Sequence, residues 1–447
     1  MHLWRDLLVR LPREFGDHQL WISRFVVLAF AVLAGGSVVA MVWITDRALS
    51  AFLALSAFNQ YLALLWTPLC TAGIVWCTRR FAPAAAGSGI PQVMAALDPA
   101  LSEGERSRLV SLRLSLAKFL LTGWGLLAGL SLGREGPSVQ VAAGVMKAAR
   151  RWLPKRNAVT EHGLLVAGGA AGIAAAFNTP LAGVMFAIEE LSRNPEQRNS
   201  GLIISAIVLA GLTAVSVYGN NTYFGVIQVP QIDFRLFLPG LLVAVTTGLF
   251  GGLFANLLIH CLDGRGKDIF SRWRRGHPIL FAGACGLAVA AIGIAMHGTT
   301  YGSGYAHSRA MLSSGAQEPL LYSGMKFIAT WLTAWSGIPG GIFAPALAVG
   351  GALGNDVSVL TGFGHAPTLI ALGMVGFLAA ATQAPLTAFI IVMEMVDGHA
   401  MVLSLMACAL IANVLSKAIS RPLYPTLASL QAPQATADVT RASPGPN

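Results

Sequence analysis

Three stretches of this chain, Phe25 to Ile44, Asn199 to Ile232 and Val357 to Met393, contain no Asp, Glu, Lys or Arg. A helix that crosses the hydrocarbon core of a bilayer needs roughly 20 such residues. Each stretch is long enough for one span, and the longest holds a span plus a re-entrant piece. Pro367 and Pro385 within it predict broken helices. Only 11% of the 447 residues are charged, against about 25% in an average soluble domain. The pattern excludes an ordinary water-soluble fold and predicts an all-α, polytopic membrane protein.

The formal net charge of +10 does not imply nucleic acid. The basic residues fall in short groups between apolar segments: Arg5, Arg10 and Arg13; Arg79 and Arg80; Arg265, Lys267, Arg272, Arg274 and Arg275. Such grouping is the pattern of the positive-inside rule and predicts that these groups, with the N-terminus, are cytoplasmic. Residues 1–20 read as a cytoplasmic surface helix, 21–430 as one transmembrane domain, and 431–447 as a short disordered tail. No cleaved signal and no hydrophilic block large enough for a soluble domain is expected. The five cysteines are dispersed, with no Cys-x-x-Cys pair, and read as small buried hydrophobes.

An internal repeat organises the rest. Ala-Ala-Ala-Phe-Asn-Thr-Pro180-Leu-Ala-Gly leads to Glu189, and Ala-Ala-Ala-Thr-Gln-Ala-Pro385-Leu-Thr-Ala leads to Glu394. In both, glutamate follows proline by nine residues. Upstream lie Gly133-Arg-Glu-Gly-Pro137 and Gly340-Gly-Ile-Phe-Ala-Pro345, 43 and 40 residues before the paired prolines. Two halves, about 21–232 and 233–430, with corresponding Gly/Pro breaks are a transporter pattern and point to the binding site. Gly125, Gly129 and Gly133, and Gly168 and Gly172, recur every four residues, a spacing that predicts close helix packing.

Three glycine-rich breaks end in proline: Gly87-Ser-Gly-Ile-Pro91, Gly133-Arg-Glu-Gly-Pro137 and Gly340-Gly-Ile-Phe-Ala-Pro345. Proline favours the first helical turn, so each break can start a helix inside the membrane. A helix start leaves unpaired N–H groups and about half a positive charge, and such groups cannot remain unsatisfied in lipid. Converging N-termini would bind an anion without a full positive charge, with Ser88 adding a hydroxyl donor. The pattern alone leaves convergence open.

The strings GSGIP (Gly87–Pro91), GREGP (Gly133–Pro137) and GIFAP (Gly341–Pro345), with Tyr424 in Arg-Pro-Leu-Tyr, resemble the signature set of the CLC chloride channels and transporters. The resemblance runs from about the first span to Leu430. It implies about eighteen helices in two inverted repeats with broken and re-entrant helices, and a homodimer with one pore per subunit. It further implies a central anion held by the hydroxyls of Ser88 and Tyr424 and the amides of Ile342 and Phe343, with Glu135 as the gate and external proton acceptor. The residues alone also allow Glu135 as a first-turn acid on a helix dipole and Tyr424 as an interfacial anchor.

An ionisable residue inside a membrane segment is costly and functional by default. An ionised Glu135 can occupy the amide-lined site in place of chloride and leave it when protonated, which links proton and anion at one position. Glu189 and Glu190 could form a surface pair with Arg193 at helical spacing. The resemblance instead implies Glu190 as the internal proton-transfer residue of antiporters, while the repeat, which pairs Glu189 with Glu394, assigns Glu189 to local structure. By the same resemblance, serine at position 88 implies chloride, with bromide tolerated. The expected function is therefore chloride/proton exchange in a bacterial-type inner (plasma) membrane, both termini cytoplasmic and no regulatory cytoplasmic domain. The alternative is a passive gated chloride channel on the same fold. No cofactor, metal site or nucleic-acid partner is expected. The chain lacks His-Glu-x-x-His and a Cys/His cluster, which argues against a metal-dependent intramembrane enzyme. A sodium-coupled organic-solute transporter would leave the three strings unexplained.

Overall fold

In the computed structural model, residues 18–154, 159–192, 200–219, 222–225, 234–314 and 318–431 are described. The first half contains α1 (His18–Phe58), α2 (Ala63–Phe81), α3 (Ile90–Ala96), α4 (Glu103–Leu109), α5 (Leu112–Leu127), α6 (Glu135–Ala148), α7 (Glu161–Phe177), α8 (Pro180–Phe186) and α9 (Ser200–Tyr218). The second contains α10 (Phe237–Leu262), α11 (Ile269–Gly276), α12 (Pro278–Ala295), α13 (Tyr305–Ser314), α14 (Leu321–Ser336), α15 (Phe343–Thr361), α16 (Ala366–Thr382), α17 (Pro385–Val396) and α18 (Val402–Ile419). A last helical stretch covers 423–431. The all-α expectation holds, and two isolated β-bridges are the exception.

Length sorts these helices by what they can do. Eight helical segments among the described residues are long and apolar enough to cross a bilayer. At 1.5 Å per residue the 41-residue α1 extends about 60 Å, twice a hydrocarbon core of about 30 Å, so it must tilt or reach beyond the core. The seven-residue α3 and α8 reach only about 10 Å and cannot cross. They are the broken elements that the prolines predicted, and Pro91 and Pro180 sit in their first turns. The same holds for Pro137 in α6, Pro345 in α15, Pro367 in α16 and Pro385 in α17.

The internal repeat extends to single dihedral angles. Helices α7 and α16, both 17 residues and buried along almost their whole length, form the centre. A helix apolar on every side belongs in a core. α7 ends at Asn178 (φ 58°, ψ 38°) and α16 at Gln383 (φ 61°, ψ 32°). Both residues adopt the left-handed conformation, which is uncommon for a non-glycine residue. Each then turns the chain into a proline-led half-helix. These half-helices cap each other. Glu189 accepts hydrogen bonds from the amides of Leu386 (3.1 Å) and Thr387 (2.6 Å) at the start of α17. Glu394 accepts them from Leu181 (3.2 Å) and Ala182 (2.7 Å) at the start of α8. Glu189 is thus a structural residue, as expected from its pairing with Glu394.

Glycine spacing gave a mixed result. A Cβ on Gly168 would lie 2.6 Å from the Ala143 Cα, and one on Gly172 2.7 Å from the Val139 Cα, so this pair does let α7 lie against α6. Gly125, Gly129 and Gly133 do not form one helix face. α5 stops at Leu127, and Gly129 (φ 76°) already lies in the following turn. At the two ends the described residues are already helical at His18, within the expected surface segment, and still helical at Gln431. The remaining residues of the predicted surface helix and tail, 1–17 and 432–447, lie outside the described residues. Four cysteines are buried and Cys77 is half-buried, all as free thiols.

Charge-assisted hydrogen bonds contribute about 1.5–3 kcal/mol and N-caps about 0.5–2 kcal/mol. Glu394→Ala should therefore destabilise the fold by about 1–3 kcal/mol, seen as a lower thermal midpoint in detergent. Glu394→Gln should recover part of that loss through its remaining carbonyl acceptor; no difference between the two variants would contradict the capping role.

Candidate functional site

The three breaks meet. Gly133 and Gly341 exchange both backbone hydrogen bonds at 2.7 Å, joining the starts of α6 and α15. The Gly87 amide donates to Ile338 O and the Gly340 amide to Gly87 O, both at 3.0 Å, which brings in the loop before α3. Glycine is required here by proximity. A Cβ on Gly341 would lie 3.0 Å from the Gly136 nitrogen, and one on Gly136 2.2 Å from the Ser88 hydroxyl oxygen. Gly89 (φ 106°) has the conformational reason as well, and its Cβ would meet Gly136 O at 2.7 Å.

Three converging helix starts each carry roughly half a unit of positive charge, together enough to offset one monovalent anion. Glu135 occupies this position. It is fully buried, and its carboxylate faces the amides of Arg134, Glu135 and Ala344. Neither carboxylate oxygen has a hydrogen-bond partner at normal distance among the described residues. The carboxylate lies directly over Gly133, where a Cβ would come 2.3 Å from one of its oxygens.

The remaining predicted residues cluster beside it. Tyr424, completely buried, turns its hydroxyl toward Ser88 and lies in the field of both Glu135 and Glu190. The Ser88 and Tyr424 hydroxyls are buried and neither has a hydrogen-bond partner among the described residues. Burial rules out the interfacial-anchor reading of Tyr424. Its ring stacks on Phe343 at 5.8 Å with 10° between planes. Phe177 and Phe186 pack on Phe343 in turn, so α7, α8, α15 and the last helical stretch fix one another. Ile342 is the N-cap of α15 and Phe343 its first residue, and both are buried. Glu190 is buried within a π-helical turn, Ala187–Leu191, that extends α8; such turns recur at functional sites. Arg193, the alternative partner for these glutamates, lies outside the described residues.

Sequence reading missed the cations behind this site. Lys118, fully buried on α5, donates from Nζ to Ala85 O (2.8 Å) and Gly87 O (2.6 Å), the carbonyls just before Ser88. Lys326, fully buried on α14, makes the same contacts with Thr300 O (2.8 Å) and Gly302 O (2.7 Å) before Ser303. Each lysine lies fifteen residues before the glycine that pairs across the breaks, Gly133 or Gly341. That shared offset was available in the sequence. Arg134 bonds to the Asp46 carboxylate, to Val42 O (3.2 Å) and to the Thr45 hydroxyl (3.3 Å) on α1. Basic side chains therefore do lie close to the site. Their hydrogen bonds go to carbonyls, to Asp46 and to the Thr45 and Tyr223 hydroxyls, however, which leaves the helix-start amides and the Ser88 and Tyr424 hydroxyls to face an anion.

Comparison with known proteins places this geometry in context. Residues 70–417 match the family described as voltage gated chloride channel. The H(+)/Cl(-) exchange transporter ClcA of Yersinia pseudotuberculosis serotype IB is 31% identical over 425 residues, covering 90% of this chain and 81% of that protein. The ClcA of Salmonella typhi is 32% identical over 365 residues, covering 78% and 74%. Among solved structures, a slow cyanobacterial Cl-/H+ antiporter superposes with TM-score 0.76 at 24% identity, over 93% of this chain and 98% of that one. A CLC-type fluoride/proton antiporter gives 0.73 at 23%, over 91% and 97%.

The contact between Gly136 and Ser88 provides a test of this geometry. Gly136→Ala should displace the Ser88 hydroxyl and weaken chloride binding at least tenfold in isothermal titration. An unchanged affinity would remove Ser88 from the site.

Proposed function

The chain belongs to the voltage-gated chloride channel family, and we propose that it exchanges chloride for protons through the site where its three breaks meet. The observation that carries this reading is the buried Glu135 carboxylate set among helix-start amides, beside the buried Ser88 and Tyr424 hydroxyls. Ser88, Tyr424 and the amides of Ile342 and Phe343 hold the central anion. Glu135, when ionised, competes for the adjacent amides. Protonation cancels its charge, the attraction to the amides falls, and an anion takes its place. Each proton taken up at Glu135 is thereby linked to an anion movement at the same amides.

Glu190 passes the proton between Glu135 and the cytoplasm. Its burial, its place in a π-helical turn and its proximity to Tyr424 support that role. The reciprocal caps support it too, because they commit Glu189 to structure and leave its neighbour for chemistry. The matched relatives are exchange transporters, and with a carboxylate kept at Glu190 passive conduction is the less favoured reading. The relatives' transporter names also accord with a non-enzymatic role.

Orientation and assembly belong to the same proposal. The face carrying Arg79, Arg80 and the α10–α12 connection is cytoplasmic in an inner (plasma) membrane, supported by its basic residues. Two copies pair as a homodimer with one pore in each, a reading that rests on the family resemblance. Bromide should substitute for chloride.

Liposomes loaded with a pH dye, under a chloride gradient with voltage set by potassium ionophore, test the exchange. Chloride movement should drive uphill proton movement; chloride flux without it would overturn the reading. Glu190→Gln should keep most anion flux and lose at least 90% of proton coupling. Glu135→Gln should lose coupling and leave an anion flux that no longer changes with pH. Normal proton pumping by Glu190→Gln would move the internal proton site elsewhere.

A further inference from the structure

Apart from the anion site, a cleft of about 1460 Å³ opens where α2 ends, α5 begins and α6 ends, with α4 along its side. Beside the acidic Glu103 and a few small or polar residues, two kinds of side chain dominate its lining. Arg108, Arg113, Lys147, Arg150 and Arg151 are basic. Leu112, Leu116 and Leu120 are apolar, exposed, and spaced every four residues along α5. That spacing forms one stripe running from the basic end of the cleft into the span.

Some of this charge is already engaged. Lys147 pairs with Glu161 at 3.2 Å and donates to the Ser107 hydroxyl at 3.0 Å, and Arg150 pairs with Glu161 and Glu103. Among the described residues no ion pair engages Arg108, Arg113 or Arg151. These three guanidinium groups, without an ion pair among the described residues, make with the N-terminus of α5 an electropositive recess above an apolar stripe.

We infer that this cleft holds one anionic phospholipid, its phosphate among the arginines and an acyl chain along Leu112, Leu116 and Leu120. Guanidinium groups match phosphate oxygens in paired hydrogen bonds, and basic recesses between membrane helices suit anionic headgroups. Size and composition select among occupants. A free phosphate fills a small fraction of 1460 Å³ and makes no use of the stripe. A zwitterionic lipid brings a cation that the arginines repel. The cleft also borders the transport machinery. Gln431 lines it from the helical stretch that carries Tyr424. Gln140 of α6 donates to Leu109 O (2.8 Å) and Ala84 O (3.2 Å), both residues of the cleft wall. The inference stands independently of the ion-exchange reading.

Native mass spectrometry of the full chain in detergent tests it, with phosphatidylglycerol and phosphatidylcholine of matched chains. Phosphatidylglycerol should be retained at a concentration at least tenfold lower than phosphatidylcholine. The combined variant Arg108→Gln, Arg113→Gln, Arg151→Gln should erase that preference. The control variant Arg265→Gln, Lys267→Gln, on a different basic segment, should keep it. Equal retention of the two lipids by the unaltered protein would overturn the inference without recourse to any variant. So would a preference that survives the triple substitution, or displacement of phosphatidylglycerol by equimolar inorganic phosphate.

Discussion

The paired hydrogen bonds between Gly133 and Gly341 are the constraint on which the rest of the structure depends. Two helix starts, each with unpaired amides, approach head to head where lipid would offer those amides no partner. The glycines bring the backbones into contact and satisfy part of the demand. The helical amides beyond them remain directed at one point. Ser88 enters that point because Gly87 bonds to the same strand of chain, at Ile338 and Gly340. A side chain on Gly133, Gly136 or Gly341 would collide with Glu135, Ser88 or the opposing backbone. The site is therefore small because the backbone itself forms its walls.

Around that centre each half of the chain repeats the same local solutions. Asn178 and Gln383 end their helices in nearly the same left-handed conformation. Glu189 and Glu394 cap each other's half-helices, and Lys118 and Lys326 tie down equivalent carbonyl pairs. Function breaks the symmetry. Among the described residues the Ser88 hydroxyl accepts from no backbone amide, whereas the Ser303 hydroxyl accepts from the Tyr305 amide at 3.4 Å. Position 136 is glycine and admits Ser88, while the corresponding residue after Phe343 is Ala344, which carries a Cβ. Glu135 likewise stands opposite Phe343, so one half supplies the titratable group and the other an aromatic wall.

Much of this was legible in the sequence because it is local. Two of the three uncharged stretches marked spans, in α1 and α9, glycine and proline marked the breaks, and the repeated proline-to-glutamate spacing marked the corresponding half-helices α8 and α17. Ser88, Glu135, Ile342, Phe343 and Tyr424 came together as their motifs implied. What escaped was long-range or hidden by composition. Lys118 reaches carbonyls 31 and 33 residues away, and Glu394 caps amides more than 200 residues back. No periodic pattern encodes such partners. Arg134 read as one letter of a motif, although its role is set by Asp46 on α1. The four-residue spacing of Gly125, Gly129 and Gly133 failed because α5 ends inside it, and spacing alone does not reveal where a helix stops.

The claim that anion and carboxylate compete for the same amides can be observed directly. Crystals of the chain and of Glu135→Gln grown in bromide, measured at the bromine absorption edge, would locate the anion without reference to transport. The account predicts one anomalous peak in the unaltered protein, between the Ser88 and Tyr424 hydroxyls and the Ile342 and Phe343 amides. In Glu135→Gln it predicts a second peak where the carboxylate had faced the Arg134, Glu135 and Ala344 amides. A single unchanged peak in both proteins, or none near Ser88, would contradict it.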